Sequence, residues 1–173
     1  FVHRGMSTKL LKTIISVNDN EFSDVYADGV IVSTPIGSSA YNLSAGGPLL
    51  ATGSNCYVIT PICPQSRTVT SIVLSKDDVT SLTIGENVNT ERSDNVVVVD
   101  GYVKYPVNAN DVVFIEKSNK SLQLVQFSKH KFLYESVYKT VVSINKKSAL
   151  NGIVLKTLSS YFYSIRRFLI LSD

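Results

Sequence analysis

Short β-branched and aromatic runs, set apart by clusters of Gly, Pro, Asn, Asp and Ser, occupy the first 128 residues. Positions 10–17 and 22–27 flank Asn18-Asp19-Asn20-Glu21, which predicts a hairpin with a polar turn. Val30-Ile31-Val32 is apolar without alternation, as in a strand buried on both faces or nearly so. Thr34-Pro35 ends it, because Pro35 has no N–H for a ladder and restricts the residue before it. Gly37-Ser38-Ser39 then supplies a turn whose hydroxyls suit a helix cap, 40–45 a short helix, and Gly46-Gly47-Pro48 its stop. A further apolar strand at 56–60 is broken by Pro61 and Pro64. Residues 68–74 and 79–84 alternate loosely, and 85–93 is a polar loop. The strand at 95–100 returns through Asp100-Gly101 as 102–107. The last pair, 111–117 and 122–127, surrounds Ser118-Asn119-Lys120. Many short strands between turn signals predict a mainly β, β-rich α+β fold, with two sheets in a β-sandwich-like domain and few short helices.

From residue 129 the pattern changes, which divides the chain into a β domain, 1–128, and a helical tail, 129–173. Residues 132–141 suit a short amphipathic helix, and 143–152 a polar linker. Beyond Leu150 apolar residues recur at Val154, Leu158, Tyr161 or Phe162, Ile165, and Phe168 or Leu169, with Lys156, Arg166 and Arg167 off the stripe. That is helical spacing. It suits a core or subunit-contact helix, or a basic helix lying on a membrane surface.

Composition narrows the class. Of 173 residues, 44% are apolar and 18% charged, the balance of a globular chain. A net charge of +3, with no cluster of Lys and Arg among aromatics, gives no footing for nucleic acid. No stretch reaches the roughly 18 continuous apolar residues of a membrane span. Cys56 and Cys63 are too few for a disulfide framework, so they read as buried free thiols in a reducing, cytoplasmic setting. His3 and His130 belong to no metal-spaced motif, and no metal ligands are assigned. Neither a Gly-x-Ser-x-Gly elbow nor a Walker loop is present. Asp28 and Asp100 each precede Gly and suit turns, a reading preferred at Asp100. Glu21 and Asp24 suit solvated loop or edge positions.

The stretch from Asp28 to Pro48 places hydroxyls, a tight turn and the Tyr41 ring at one corner. Such a corner can hold a polar planar ligand, the ring stacking while hydroxyls and amides give direction; its shape alone favours a tight turn packed from small residues. Its residues are more specific than its shape. Asp-Gly-x-x-x-Ser-Thr-Pro-x-Gly-Ser-x-Ala-Tyr-x-x-Ser-x-Gly-Gly-Pro resembles the signature of NAD kinases, in their carboxy-terminal, NAD-holding domain. Val2-His3-Arg4-Gly5, Thr60-Pro61-Ile62-Cys63-Pro64 and Asp100-Gly101 extend the resemblance over about three quarters of the chain.

The resemblance implies transfer of the ATP γ-phosphoryl group to the adenosine 2′-hydroxyl of NAD, giving NADP. NAD is then the substrate, held by Asp28, Ile36, Ser39, Ala40, Tyr41, Asn42, Leu43 and Ser44. Ser39, Ala40 and Tyr41 match positions that line the adenine and ribose. Ser44 and Asp28 match positions at the nicotinamide amide, where a carboxylate accepts from an NH₂ donor. The Asp28 position can serve a neighbouring subunit, so a homo-oligomer, dimer or tetramer, is implied. Three departures stand against this pattern. The family's Gly-Gly-Asp-Gly-Thr loop and its Asn-Glu pair are absent, and Ile36 replaces the usual hydroxyl residue. Catalytic residues, ATP and a divalent metal (Mg) are therefore expected on an upstream ATP-binding domain, with no catalytic residue in this chain. The alternatives are a non-catalytic NAD(P)-binding domain or a truncated, inactive relative. More distant ones are a lipid-kinase relative, or an interaction module that uses its tail.

Overall fold

Alternating patterns build one sheet of this protein, and continuous apolar runs build the middle of the other. The computed structural model describes residues 1–85, 94–120 and the backbone of 170–171. Its strands are β1 (Val2–His3), β2 (Leu11–Val17), β3 (Asn20–Ala27), β4 (Gly29–Ser33), β5 (Cys56–Ile62) and β6 (Ile72–Ser75). They continue with β7 (Thr80–Ile84), β8 (Val96–Val99), β9 (Val103–Pro106), β10 (Val112–Ile115) and β11 (Ile170–Leu171). A 3₁₀ turn, Gly37–Ser39, and a one-turn helix α1, Tyr41–Ser44, interrupt the series. The first sheet runs β6-β5-β4-β1-β8-β9 and the second β11-β10-β7-β2-β3, with antiparallel neighbours throughout. The mainly β, two-sheet prediction holds.

In the second sheet β2 buries Leu11, Thr13 and Ile15, and β7 buries Thr80, Leu82 and Ile84, so one face meets the core. Central strands of the first sheet behave differently. Val30 and Ile59 join Leu82, Val97 and Val113 in the core between the sheets. Ile31, Val58 and Ile62 are also buried, yet lie outside that cluster. The register explains this, pairing Val30 with Pro61, Ile31 with Thr60 and Val32 with Ile59. Alternate residues of β4 and β5 thus point to an outer face, where residues 37–50 cover them. Gly29 lets β1 lie close, since a Cβ there would fall on the Val2 carbonyl oxygen.

Several sequence expectations need correction. The first hairpin turns on Asn18 and Asp19 alone, at φ 50° and 64°, and β3 already begins at Asn20. Asn and Asp tolerate that left-handed backbone. Pro61 does not break β5. Its neighbour β6 pairs only with Cys56–Ile59, so the ladder on that side ends before a residue without an N–H. Strand structure begins at Ile72 rather than at 68. Cys63 is exposed and Cys56 half-buried, because the chain turns at Cys63 with φ 47° on leaving β5. Both thiols are free, as expected. Ile170–Leu171 is extended along β10 rather than helical, taking up backbone groups at that strand's edge. The rest of the expected tail, the strand at 122–127, His130 and the loop at 86–93 lie outside the described residues. Asp100-Gly101 is the predicted hairpin turn, at φ 49° and 76°.

Candidate functional site

The Pro35 break turns the chain out of the first sheet and back across its outer face. No side chain caps α1, contrary to expectation. The turn hydroxyls bond locally instead: Ser38 Oγ donates to Pro35 O at 2.7 Å, and Ser39 Oγ to Ile36 O at 3.3 Å. Ala40 therefore starts the helix through its carbonyl, which accepts from Leu43 N at 3.1 Å and Ser44 N at 3.4 Å.

Residues 36–44 divide between surface and interior. Tyr41 and Ile36 are 43% and 40% exposed, and Ser44 is exposed as well. Ser39, Ala40 and Leu43 are half-buried. Asn42 is 1% exposed and turned inward. Its Nδ2 donates to Ser38 O at 3.0 Å and Pro48 O at 2.9 Å, while Oδ1 accepts from Thr60 Oγ1 at 2.6 Å. Tyr41 meets the edge of Phe1, ring centroids 5.2 Å apart and planes at 74°. Phe1 makes a further edge contact with His3 at 6.4 Å, and His3 Nδ1 accepts from Gly5 N at 3.0 Å.

Asp28 is not part of this corner. It precedes the opposite end of β4, about 17 Å of extended strand from Ser33. Its Oδ1 lies 2.7 Å from Arg4 Nε, a charge contact rather than an aligned hydrogen bond, and its carbonyl accepts from Arg4 N at 3.1 Å. Asp28 is the single bent residue between β3 and β4, where the chain crosses from one sheet to the other, and Gly29 opens β4.

Two hollows among the described residues lie elsewhere. One sits between the sheets, lined by Val2, Val30, Val97 and Leu82; another, of about 250 Å³, lies among Phe22, Val25, Ile59, Pro61 and Val69. Within residues 36–44, the exposed Ile36, Tyr41 and Ser44 present apolar, aromatic and hydroxyl groups to the surface. Among the described residues no group of His, Cys, Asp and Glu could hold a metal ion. They do not fit a metal site. Phe1, Arg4, Ser38 and Thr60 enter the picture only through the fold. Val2-His3-Arg4-Gly5 and Thr60-Pro61 had sequence matches, but nothing in spacing shows that Arg4 meets Asp28 or that Thr60 meets Asn42.

Fold and site together define a β-sandwich-like domain with a ring-bearing corner on the outer face of one sheet. Residues 1–127 match the ATP-NAD kinase C-terminal domain, and the chain belongs to that family. It is 40% identical over 131 residues to the NAD kinase of Caldanaerobacter subterraneus subsp. tengcongensis, covering 76% of this chain and 45% of the relative. The chain spans about half the length of the curated relatives it matches. Among solved structures, yeast NADH kinase complexed with NADH superposes with a TM-score of 0.68 at 23% identity, over 90% of this chain and 45% of that one. An NAD kinase from Archaeoglobus fulgidus in complex with ATP gives 0.59 at 26%, over 68% and 44%.

Proposed function

We propose that this chain is the NAD-holding portion of an NAD kinase, which transfers the γ-phosphoryl group of ATP to the adenosine 2′-hydroxyl of NAD to give NADP. The observation that carries this reading is the exposed Tyr41 ring, seated on Phe1 between Ser39 and Ser44, within the segment shared with the family. Ser39, Ala40 and Tyr41 line the adenine and ribose, with Ile36 as an apolar neighbour and Ser44 reaching toward the nicotinamide amide. Because Asp28 stands at the far end of β4, its carboxylate serves the site of a second copy, in a dimer or tetramer.

Phosphoryl transfer depends on positioning and on neutralising charge. This chain does the first. ATP, the divalent metal and the base for the 2′-hydroxyl belong to an ATP-binding half, so the chain alone does not complete the reaction. Related enzymes solved with NADH and with ATP support nucleotide ligands. Free thiols at Cys56 and Cys63 support a reducing, cytoplasmic setting.

Calorimetric titration of the folded chain with NAD tests the assignment. Saturable binding, weakened at least about tenfold by Tyr41→Ala with an unchanged unfolding midpoint, is expected from loss of a stacking ring. Equal affinity in the variant would remove the corner from the site. A second reading, a non-catalytic NAD(P)-binding relative, is favoured by Ile36, which presents an apolar group where the family pattern has a hydroxyl. NADP formation on supplying an NAD kinase ATP-binding half would exclude it.

A further inference from the structure

Asn42 sits next to the most exposed ring of the corner, yet its own side chain is wholly enclosed. Carbonyl oxygens only accept, so the carboxamide nitrogen must face Ser38 and Pro48 and the oxygen must face Thr60. Thr60 has one hydroxyl proton, directed at Asn42. The same hydroxyl oxygen lies 3.0 Å from Ser71 Oγ. Asn42 thus ties three pieces together: the turn before α1, the chain after it, and β5. Two further ties close the same knot. Ser38 Oγ accepts from Leu50 N at 2.9 Å, and Gly47 N donates to Asn42 O at 2.9 Å. A four-residue helix without a side-chain cap has little stability of its own, so its orientation depends on these bonds.

We propose that Asn42 is a positioning residue: it does not touch the ligand, but anchors α1 to β5 and so fixes the ring of Tyr41 and the backbone of residues 39–44. The proposal rests on the reading of this corner as the NAD site. It gives the Asn42 side chain a different part from the NAD-holding one that the family resemblance implies for that residue.

Asn42→Asp preserves the shape but, when ionised, sets a carboxylate against two carbonyl oxygens; protonated, it can donate to one of them. Relative to wild type at the same pH, NAD binding is expected to weaken at least about tenfold at pH 8 and to recover in part at pH 5. Tyr41→Ala stays weak at both. Should Asn42→Asp fail to fold, Thr60→Val carries the test from β5: it removes the donor to Oδ1 and weakens NAD binding, and Thr60→Ser restores it. A ligand-free readout is the NMR contact between the Phe1 and Tyr41 rings, expected to vanish in Asn42→Asp at pH 8 and return at pH 5. Wild-type affinity and an intact ring contact in folded Asn42→Asp or Thr60→Val overturn the proposal. Failure of the wild type itself to bind NAD overturns the ligand assignment instead, and the ring contact still decides whether Asn42 holds Tyr41.

Discussion

On the inner face of β4 and β5, Val30 and Ile59 meet Leu82 and Val113 in a core drawn from both sheets. On the outer face of the same strands, Ile31 and Val58 share a layer with Thr60, Asn42 and Ser38. Apolar burial is non-directional and scales with area, so it holds the sheets together without dictating how a surface ring is aimed. Hydrogen bonds between enclosed polar groups are directional and costly to leave unmade, so they select one arrangement. The inner face therefore governs whether the domain folds, and the outer face governs where Tyr41 points.

The largest expected effect lies on the inner face. Ile59→Ala should lower the unfolding free energy by about 2–5 kcal/mol, the range for deleting a buried Ile. Urea denaturation reads this directly, while NAD affinity of the folded fraction stays at the wild-type value. A loss below about 1 kcal/mol, or a comparable loss of affinity, would break the division between the faces.

Next comes Gly47→Ala on the outer face. The added Cβ would fall on Asn42 Oδ1 and Thr60 Oγ1, neither the free end of a flexible side chain. Stability should fall by about 1–3 kcal/mol, less than for Ile59→Ala, but NAD binding should weaken at the same time. If affinity survives intact, the knot around Asn42 does not set the geometry of the site.

These faces were unequally legible in the sequence. The unbroken Val30-Ile31-Val32 run announced a strand covered on both sides, and Pro35, Gly46 and Pro48 announced where the chain leaves the sheet and returns. Period-two alternation exposed the single-faced strands in the same way. What the sequence withheld was direction and distance. One turn of helix has no periodicity from which to read a buried side, so Asn42 looked like its exposed neighbour Tyr41. Pro61 looked like a breaker because its cost depends on the partner strand's length, a property of residues 72–75 rather than of Pro61. Asp28 and Tyr41 belong to one motif in sequence, but a strand extends between them, so proximity along the chain became separation in space.

The smallest effect concerns Tyr57, at the border of the inner face. Two residues before Ile59, its hydroxyl lies 2.5 Å from Thr80 Oγ1 and 3.3 Å from the Asp78 carbonyl, joining β5 to the second sheet. Burial, reinforced by the charge of Asp78, raises its pKa above the ordinary 10.0, against the opposing hydrogen bond from Thr80. The folded protein then keeps this proton to a higher pH than the unfolded chain does. The associated stability is complete below about pH 10 and is lost as pH rises through the folded value. Tyr57→Phe keeps the ring and removes the ionisation, so it should be less stable by about 0.5–1.5 kcal/mol at neutral pH. That gap should narrow above pH 10. Lys12, its pKa raised by the hydrogen bond to Asp24, loses stability over the same alkaline range, but both proteins share it and the difference isolates Tyr57. Unfolding midpoints from pH 7 to 11 supply the check. A gap that stays constant would mean that Tyr57 titrates alike folded and unfolded. Unchanged NAD affinity in Tyr57→Phe at neutral pH would place this polar group, despite its hydroxyl, with the face that holds the fold and not with the face that aims the ring.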